Sequence, residues 1–265
     1  MAENAADESE IMTHLSVIIP VYNAEAFVKQ NVQKVLAELA TQSFAWEVIA
    51  VDDGSRDRSL LFLQELAKEN PELRVVESKC NRGKGHAVRL GIEHAQGHYV
   101  VFNDVDLAYP VSEIFRLLAV LEKGTDIAIA CRVLPESRYE ISPAFFRYLY
   151  TRHVMGRFFN LLVRKLLLPG LLDTQAGLKG FRAEVAKTVF ARQTLFRFSF
   201  DVEILYIAQK FGFKIEQVPI FFRYFFEETT VRFFEDTVKM VSDLCRIKLN
   251  DWRGRYSATT PCKCR

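Results

Sequence analysis

From Leu15 onward, short runs of β-branched and other apolar residues alternate with stretches of helical periodicity. The predicted strands cover 15–20, 46–51, 73–77, 98–103 and 126–130, and the predicted helices cover 25–40, 57–68, 84–95 and 111–122. This alternation is typical of βαβ units on a parallel sheet. Strands that are apolar at every position indicate a sheet covered by helices on both faces. The sequence therefore predicts an α/β fold with a mostly parallel central sheet flanked by helices.

Length and charge bound the possible functions. With 265 residues, 49% of them apolar, the chain can bury one large core, which we expect to span 15–256 as a single domain. Residues 1–14 carry four carboxylates and no lysine or arginine, so we expect a disordered acidic tail rather than a secretory signal. Residues 257–265 are expected to form a flexible tail. The net charge of +2 does not indicate a nucleic-acid-binding protein.

Hydropathy and cysteine usage bear on location. No apolar run approaches the roughly 18 residues of a transmembrane helix. The five cysteines form no C-x-x-C pair and fit a reducing cytoplasm. Cys262 and Cys264 match no C-a-a-X end, and a flexible tail is favoured over a metal or lipid site. A cytoplasmic protein without a membrane-spanning helix is expected.

Ligands of open α/β sheets bind beyond the carboxyl ends of the strands, so those ends are the candidate site. The first strand ends in Pro20-Val21-Tyr22-Asn23 and the second in Asp52-Asp53-Gly54-Ser55. A buried carboxylate must be paired or used. We expect Asp52 to accept hydrogen bonds from a ligand, whereas Asp53 is either a ligand contact or a turn residue.

Two further strand ends carry charge. Asn81-Arg82-Gly83-Lys84-Gly85-His86 is a basic, glycine-flanked loop before a helix, and it suits a diphosphate because glycines permit close backbone approach and the helix N-terminus attracts anions. Asp104-Val105-Asp106 follows the fourth strand. Carboxylates at alternate positions can share a divalent cation that also binds two phosphates. Together they predict a site for a nucleotide diphosphate and a metal.

The segment 141–172 contains five basic residues and no acidic one. Within it, 157–168 sorts into a basic and an apolar side, as interfacial helices do, and we expect a break near Gly156. A core helix with snorkelling arginines is the alternative. A second amphipathic helix is predicted over 231–249, on lipid or on the sheet. The segments 143–168 and 219–249 are therefore the candidate membrane-interface segments.

In this order, the motifs Pro20-Val-Tyr-Asn, Val51-Asp-Asp-Gly-Ser, Asn81-Arg-Gly-Lys-Gly and Asp104-Val-Asp resemble glycosyltransferase family 2. Residues 173–182, 200–203 and 218–220 resemble the polyprenyl-phosphate sugar synthases, of the dolichyl-phosphate glucosyltransferase or dolichol-phosphate mannosyltransferase type. The resemblance covers about Leu15 to Tyr256. It implies the GT-A fold of nucleotide-diphospho-sugar transferases.

The resemblance also implies roles for individual residues. Pro20, Tyr22 and Asp52 would frame the base and ribose, with Lys84 near the nucleotide; Asn23, Asp53 and Val105 complete the predicted nucleotide-sugar contacts. Asp104 and Asp106 would hold Mg²⁺ or Mn²⁺. Arg132, Lys179, Arg223 and Arg232 would contact the acceptor phosphate. Leu107-Ala108-Tyr109-Pro110 stands where mannosyl enzymes often carry a metal-binding Gln, so water or substrate oxygen would complete the metal shell.

The expected reaction is inverting transfer of a hexose from a nucleotide diphosphate sugar to a polyprenyl or dolichyl phosphate, peripherally at the cytosolic face of a membrane. UDP-glucose is the favoured donor, and GDP-mannose is the alternative. Predicted catalytic residues are Asp104, Asp106, Arg132, Lys179 and Asp201. A hydroxyl acceptor would need a general base, for which Asp201 and Asp173 are candidates. Rival classes are a sugar-1-phosphate nucleotidylyltransferase and a non-catalytic, membrane-surface nucleotide-binding module.

Overall fold

The computed structural model describes residues 13–141, 159–224 and 233–257. Its first half alternates strands and helices in the predicted order. These elements are β1 (Leu15–Val21), α1 (Val28–Leu39), β2 (Trp46–Asp52), α2 (Ser59–Glu69), β3 (Leu73–Glu77), α3 (Lys84–His94), β4 (Tyr99–Phe102), α4 (Val111–Glu122) and β5 (Ile127–Cys131). The sequence pattern thus located all five strands and all four helices of this half.

The second half is less regular. Its elements are β6 (Arg138–Ile141), α5 (described over 159–166), β7 (Lys179–Arg182), α6 (Ala183–Phe190), α7 (Phe200–Lys210), β8 (Ile215–Pro219), β9 (Phe221–Tyr224) and α8 (Phe233–Trp252). Strands β6 and β9 pair with each other in a separate parallel ribbon. Several predicted features lie outside the described residues: the helix break near Gly156, the phosphate contact Arg232, and the cysteines Cys262 and Cys264.

The main sheet has seven strands in the order β3-β2-β1-β4-β7-β5-β8. All neighbours pair in parallel except β7, which is antiparallel to both β4 and β5. Because β7 runs the opposite way, its first residue, Lys179, lies beside Phe102 at the last position of β4. The amino end of β7 therefore joins the carboxyl ends of β1, β2 and β4 at one edge of the sheet.

Apolar layers cover both faces of this sheet. Ile18, Ile49 and Phe102 face the layer that includes side chains of α3, α6 and α7. Val17 and Ile19 face the opposite layer, which includes α1, α2 and α4. Burial on two sides accounts for the unbroken apolar strands, since neither face meets water.

The helices predicted at a membrane interface are partly core helices. Phe159, Val163 and Leu167 on and just after α5 are buried in the protein's own core, so the core alternative holds for this part of 157–168. On α8, Leu244 and Ile247 are likewise buried. In the described part of the chain, no helix is both long and apolar enough to cross a bilayer.

Candidate active site

The ends of β1 and β2 are tied together by hydrogen bonds. Asn23 donates its backbone N–H to Ser55 Oγ at 2.9 Å and accepts the Arg56 N–H on its side-chain oxygen at 2.8 Å. Asn23 has φ of 48°, a conformation that asparagine tolerates better than most residues. Pro20 is buried and Tyr22 is half-buried beside this turn. The segment 20–23 therefore forms one fixed wall of the site.

Asp52 presents a buried oxygen without a partner. Its side chain is 1% exposed, and Oδ2 accepts the Ser55 N–H at 3.0 Å. Oδ1 makes no hydrogen bond to the described residues. A buried polar atom that lacks a partner costs stability and calls for an explanation. A hydrogen-bond donor of a bound ligand would supply that partner, and the predicted contact of Asp52 with the base and ribose stays a prediction.

Asp53 is bound to the glycine loop. Its carboxylate accepts the backbone N–H groups of Arg82 at 3.1 Å and Gly83 at 2.7 Å. Burial raises the pKa of Asp53, while these two hydrogen bonds and the nearby His86 act in the opposite direction. This geometry gives Asp53 a role in positioning the loop, and its direct contact with a ligand stays a prediction. Asp53 connects the end of β2 to the start of α3.

Glycine is required where the loop meets residues 193–200. Gly83 has φ of 107°, and a Cβ there would lie 2.5 Å from the carbonyl oxygen of Phe196. The next glycine, Gly85, donates its N–H to the same oxygen at 2.8 Å. The loop is therefore held between Asp53 on one side and the segment leading into α7 on the other.

Lys84 and Asp104 form an ion pair at the centre of the site. Lys84 Nζ lies 2.6 Å from Asp104 Oδ1, with about a quarter of each side chain exposed (25% and 30%). Burial opposes the charge on Lys84, but Asp104 and Asp201 outweigh it, so the pKa of Lys84 is raised. The predicted phosphate-binding cation and the first predicted metal ligand are thus neighbours.

The acidic triplet is held in place from several directions. Asn31 on α1 donates to the carbonyl of Val105 at 2.9 Å, and Asp106 Oδ1 accepts the N–H of Ala108 at 3.0 Å. Gly177 approaches closely, since a Cβ at that position would lie 1.9 Å from Asp104 Oδ2. Sequence reasoning missed Gly177, although it lies within the Asp173–Arg182 motif that carried the resemblance.

Lys179 and Asp201 form a second, buried pair. Lys179 is 0% exposed, and its Nζ donates to Asp201 Oδ1 at 2.5 Å and to the Ala176 carbonyl at 2.6 Å. Burial lowers the pKa of Lys179 and raises that of Asp201, and their mutual attraction limits both shifts. Lys179 thus lies in the interior near Lys84, without surface exposure, and its predicted phosphate contact stays a prediction.

Arg132, which follows β5, is oriented by Asp173. Its Nε and Nη2 donate to the two carboxylate oxygens at 2.7 and 2.9 Å, and its backbone N–H donates to Oδ2 at 3.0 Å. Burial acts to raise the pKa of Asp173, but Arg132 outweighs it and the pKa is lowered. The side chain of Arg132 remains 39% exposed. A fixed, accessible guanidinium of this kind suits phosphate recognition.

The remaining predicted residues lie at the margin. Arg223 on β9 donates its backbone N–H to the Ala108 carbonyl at 2.8 Å, while its guanidinium lies 3.7 Å from Glu140. Its main chain therefore supports the acidic loop. Tyr109 is buried, and its ring packs 5.0 Å from that of Phe222. Tyr109 thus occupies core space within the 107–110 stretch.

The acidic triplet has the donor chemistry of a Mg²⁺ or Mn²⁺ site. Within 13–141, 159–224 and 233–257, no group of three or more His, Cys, Asp and Glu side chains could hold a metal. Asp104 and Asp106 supply two hard carboxylates, and diphosphate and water oxygens would supply the rest. The residues present therefore fit a cation shared with the substrate.

A mostly parallel α/β sheet that carries a glycine-flanked basic loop and an acidic triplet at one edge has the GT-A fold of the nucleotide-diphospho-sugar transferases. Residues 16–190 match the model of "Glycosyl transferase family 2", and the chain belongs to that family. The chain is therefore a glycosyltransferase. This excludes the two rival classes, a sugar-1-phosphate nucleotidylyltransferase and a non-catalytic nucleotide-binding module. The family and fold predicted from the motifs are confirmed.

Several curated relatives share one description. A "Dolichyl-phosphate beta-glucosyltransferase" of Dictyostelium discoideum is 30% identical over 89% of this chain and 74% of the relative. The Saccharomyces cerevisiae protein of that name is 29% identical over 97% and 80%. The Homo sapiens one is 33% identical over 78% and 66%.

Solved structures show the same fold. Glucosyl-3-phosphoglycerate synthase of Mycobacterium tuberculosis in complex with UDP superposes with a TM-score of 0.63, at 18% identity, covering 89% of this chain and 80% of that one. The same enzyme with Mn²⁺, UDP-glucose and phosphoglyceric acid gives a TM-score of 0.62 at 19% identity, covering 94% and 81%. At this identity the likeness concerns the fold alone.

Proposed function

We propose that this protein transfers glucose from UDP-glucose to dolichyl phosphate or a related polyprenyl phosphate, with inversion at the anomeric carbon. The observation that carries the proposal is its similarity to dolichyl-phosphate β-glucosyltransferases over most of its length. Inversion of an α-linked donor gives a β-linked product, in accord with the name of those relatives. Residues 15–256 act as one catalytic unit.

In this proposal the sugar donor, UDP-glucose, lies across the carboxyl ends of β1, β2 and β4. Asp52 Oδ1 is buried and has no partner among the described residues. It accepts a hydrogen bond from the nucleotide. Tyr22 and Pro20 border the base, and the 81–85 loop lies under the diphosphate at the start of α3. Lys84 contributes a full positive charge there.

Asp104 and Asp106 hold a divalent cation in this proposal. When bound, Mg²⁺ or Mn²⁺ supplies positive charge that stabilises the departing nucleotide diphosphate. Support comes from the carboxylate pair itself and from glucosyl-3-phosphoglycerate synthase structures solved with Mn²⁺ or Mg²⁺ and UDP. Lys84 contacts the Asp104 carboxylate and adds its own positive charge to that of the cation.

The acceptor phosphate binds at Arg132, on the side of the transferred sugar opposite to the nucleotide diphosphate. Because a phosphate oxygen is already anionic near neutral pH, no strong general base is required, and the protein's contribution is alignment and charge. Asp173 is engaged by Arg132, and Asp201 by Lys179. These ion pairs support a positioning role for both carboxylates, in line with a phosphate acceptor that needs no general base. Arg223 and Arg232 remain predicted contacts to the same phosphate.

The acceptor's lipid chain places the reaction at a membrane. We propose peripheral association with the cytosolic face, where nucleotide sugar and lipid phosphate meet. The support is the lipid substrate in the relatives' names together with the predicted interface segments 143–168 and 219–249, of which 143–158 and 225–232 lie outside the described residues.

A transfer assay tests the proposal. The purified protein is given labelled UDP-glucose, Mn²⁺ and dolichyl phosphate, and lipid-extractable label is measured. Parallel reactions replace the donor by GDP-mannose or the acceptor by 3-phosphoglycerate. We expect lipid product with UDP-glucose and dolichyl phosphate, and none from Asp106→Ala, which keeps its fold. Product with GDP-mannose alone, or with 3-phosphoglycerate alone, contradicts the proposal.

A further inference from the structure

Glu203 on α7 is a buried carboxylate that the proposed reaction does not use. Its Oε2 accepts the backbone N–H groups of Thr194 at 2.8 Å and Leu195 at 2.7 Å. Its Oε1 accepts the hydroxyl groups of Thr194 at 2.5 Å and Tyr256 at 2.6 Å. Burial raises the pKa of Glu203, and these hydrogen bonds act in the opposite direction. Because donors occupy both oxygens, the carboxylate holds separate parts of the chain together.

The segment held in this way, residues 193–196, is bound to the glycine loop at the start of α3. The side-chain amide of Gln193 donates to the carbonyl of Gly85 at 3.0 Å. The carbonyl of Phe196 accepts the Gly85 N–H at 2.8 Å. The ring of Phe196 also lies 5.7 Å from the guanidinium carbon of Arg82. The 193–196 segment thus fixes the main chain of Gly85 at both its N–H and its carbonyl.

The C-terminal part of the chain is attached to the same segment. Tyr256, which follows α8, is buried and donates its hydroxyl to Glu203. Asn250 on α8 is also buried, and its side-chain amide donates to Thr194 Oγ1 at 2.9 Å. A continuous set of buried hydrogen bonds therefore connects α8, α7 and the 193–196 segment, with Glu203 at its centre.

Glu203 lies on a different face of α7 from the residue that joins the active site. Asp201, two positions earlier, pairs with Lys179. Side chains two positions apart on a helix do not face each other. The hydrogen bonds of Glu203 go to Thr194, Leu195 and Tyr256 instead. An effect of Glu203 on the nucleotide must therefore pass through the 193–196 segment.

We propose that Glu203 is a positioning residue for the nucleotide, and that Tyr256 assists it. By fixing the 193–196 segment, Glu203 keeps the main chain of Gly85 and the start of α3 in the geometry that a diphosphate requires. The inference rests on the proposed function in that the 81–85 loop is taken as the diphosphate site. A purely structural role would lower stability and leave the nucleotide affinity unchanged.

Two variants test the proposal. Glu203→Gln keeps the size of the side chain but replaces one accepting oxygen by an NH₂ donor, and Tyr256→Phe removes one hydroxyl and keeps the ring. We expect Mn²⁺-dependent UDP binding to weaken about tenfold in Glu203→Gln and less in Tyr256→Phe, as for residues that act through a packed network. Calorimetry gives these constants. KM for UDP-glucose should rise in the same order, with kcat and KM for dolichyl phosphate unchanged.

Glu47→Gln is the matched control. Glu47 is a buried carboxylate whose Oε1 accepts the Ser16 hydroxyl and the Gln96 N–H, both at 2.7 Å. It lies near the start of β2, at the sheet edge opposite to the nucleotide site. This variant should lose stability but bind UDP as the parent does. UDP affinity that is unchanged in both test variants, or lowered equally in Glu47→Gln, overturns the proposal.

Hydrogen exchange separates this inference from the proposed function, because it needs no substrate. The Gly85 N–H, which is bonded to the Phe196 carbonyl, should exchange faster in Glu203→Gln than in the parent. The increase should exceed that of the β1 amides, which report global unfolding. A parent protein that binds no UDP would contradict the proposed function and leave this measurement intact. Equal Gly85 exchange in folded Glu203→Gln and its parent would refute the positioning role.

Discussion

Lys84 Nζ lies 2.6 Å from Asp104 Oδ1, so the cation of the glycine loop contacts the first carboxylate of the acidic triplet. The two residues are twenty positions apart on α3 and after β4. Their contact links the predicted phosphate-binding loop to the predicted metal-binding carboxylates. If Asp104 binds a metal as proposed, lysine and metal compete for one carboxylate in the absence of substrate.

Replacing Lys84 should therefore affect metal and nucleotide in opposite directions. In Lys84→Met, Asp104 loses its partner, and Mn²⁺ should bind several-fold more tightly without nucleotide, while UDP binds about tenfold more weakly, equivalent to about 1.4 kcal/mol. Both constants can be measured by calorimetry. Lys68→Met, on α2, serves as a control that changes neither. Weaker Mn²⁺ binding in Lys84→Met would contradict the competition.

Gly177 should be required for the position of Asp104. A Cβ at Gly177 would lie 1.9 Å from Asp104 Oδ2, so Gly177→Ala must displace that carboxylate. We expect at least a tenfold loss of Mn²⁺-dependent UDP binding, with cooperative thermal unfolding retained. Adding Gly177→Ala to Asp104→Ala should cause little further loss, because both changes act through one side chain. Additive losses would show that Gly177 acts elsewhere.

Stability should depend on pH through Asp173. Arg132 lowers the folded-state pKa of Asp173 below its ordinary value of 3.8, so the stabilisation is fully present above that value and disappears as pH falls through the lowered one. The melting temperature of wild type minus that of Asp173→Asn should be largest near neutral pH and should shrink below about pH 4. A difference that is constant with pH would rule out this linkage.

Substitutions at Lys179 should lower the free energy of unfolding mainly by breaking the buried Lys179–Asp201 ion pair. Lys179→Met leaves the Asp201 carboxylate without its partner, and breaking a buried ion pair costs about 3–5 kcal/mol. The double variant Lys179→Met/Asp201→Asn should be less destabilised than the sum of the two single changes. Denaturant unfolding of all four proteins gives the coupling energy. Additivity would mean that the pair contributes nothing.

Asp201→Asn also distinguishes the acceptor chemistry. A phosphate acceptor needs no general base, so a single turnover to dolichyl phosphate should persist in the folded fraction of this variant. Because Lys179 loses its counter-ion, the folded fraction must be measured alongside the rate. Complete loss of the chemical step in folded protein would indicate a base and favour a hydroxyl acceptor.

The alternating apolar runs determined β1 to β5, because strand and helix periodicity are local properties of the sequence. The motifs at the strand ends determined which family the chain belongs to. Pro20, Asp52, the 81–86 loop and the acidic triplet could be recognised for the same reason: parallel strands end at one edge of the sheet, and this brings their following residues together.

Only the tertiary structure decided how those residues are paired. Strand β7 inserts in the antiparallel direction between β4 and β5, and this places Lys179 beside Phe102 and Gly177 against Asp104. The Arg132–Asp173 and Lys179–Asp201 contacts join residues 41 and 22 positions apart. Asp53 likewise contacts the loop rather than its own turn. Such contacts depend on how the chain crosses the sheet, and local periodicity carries no information about that crossing.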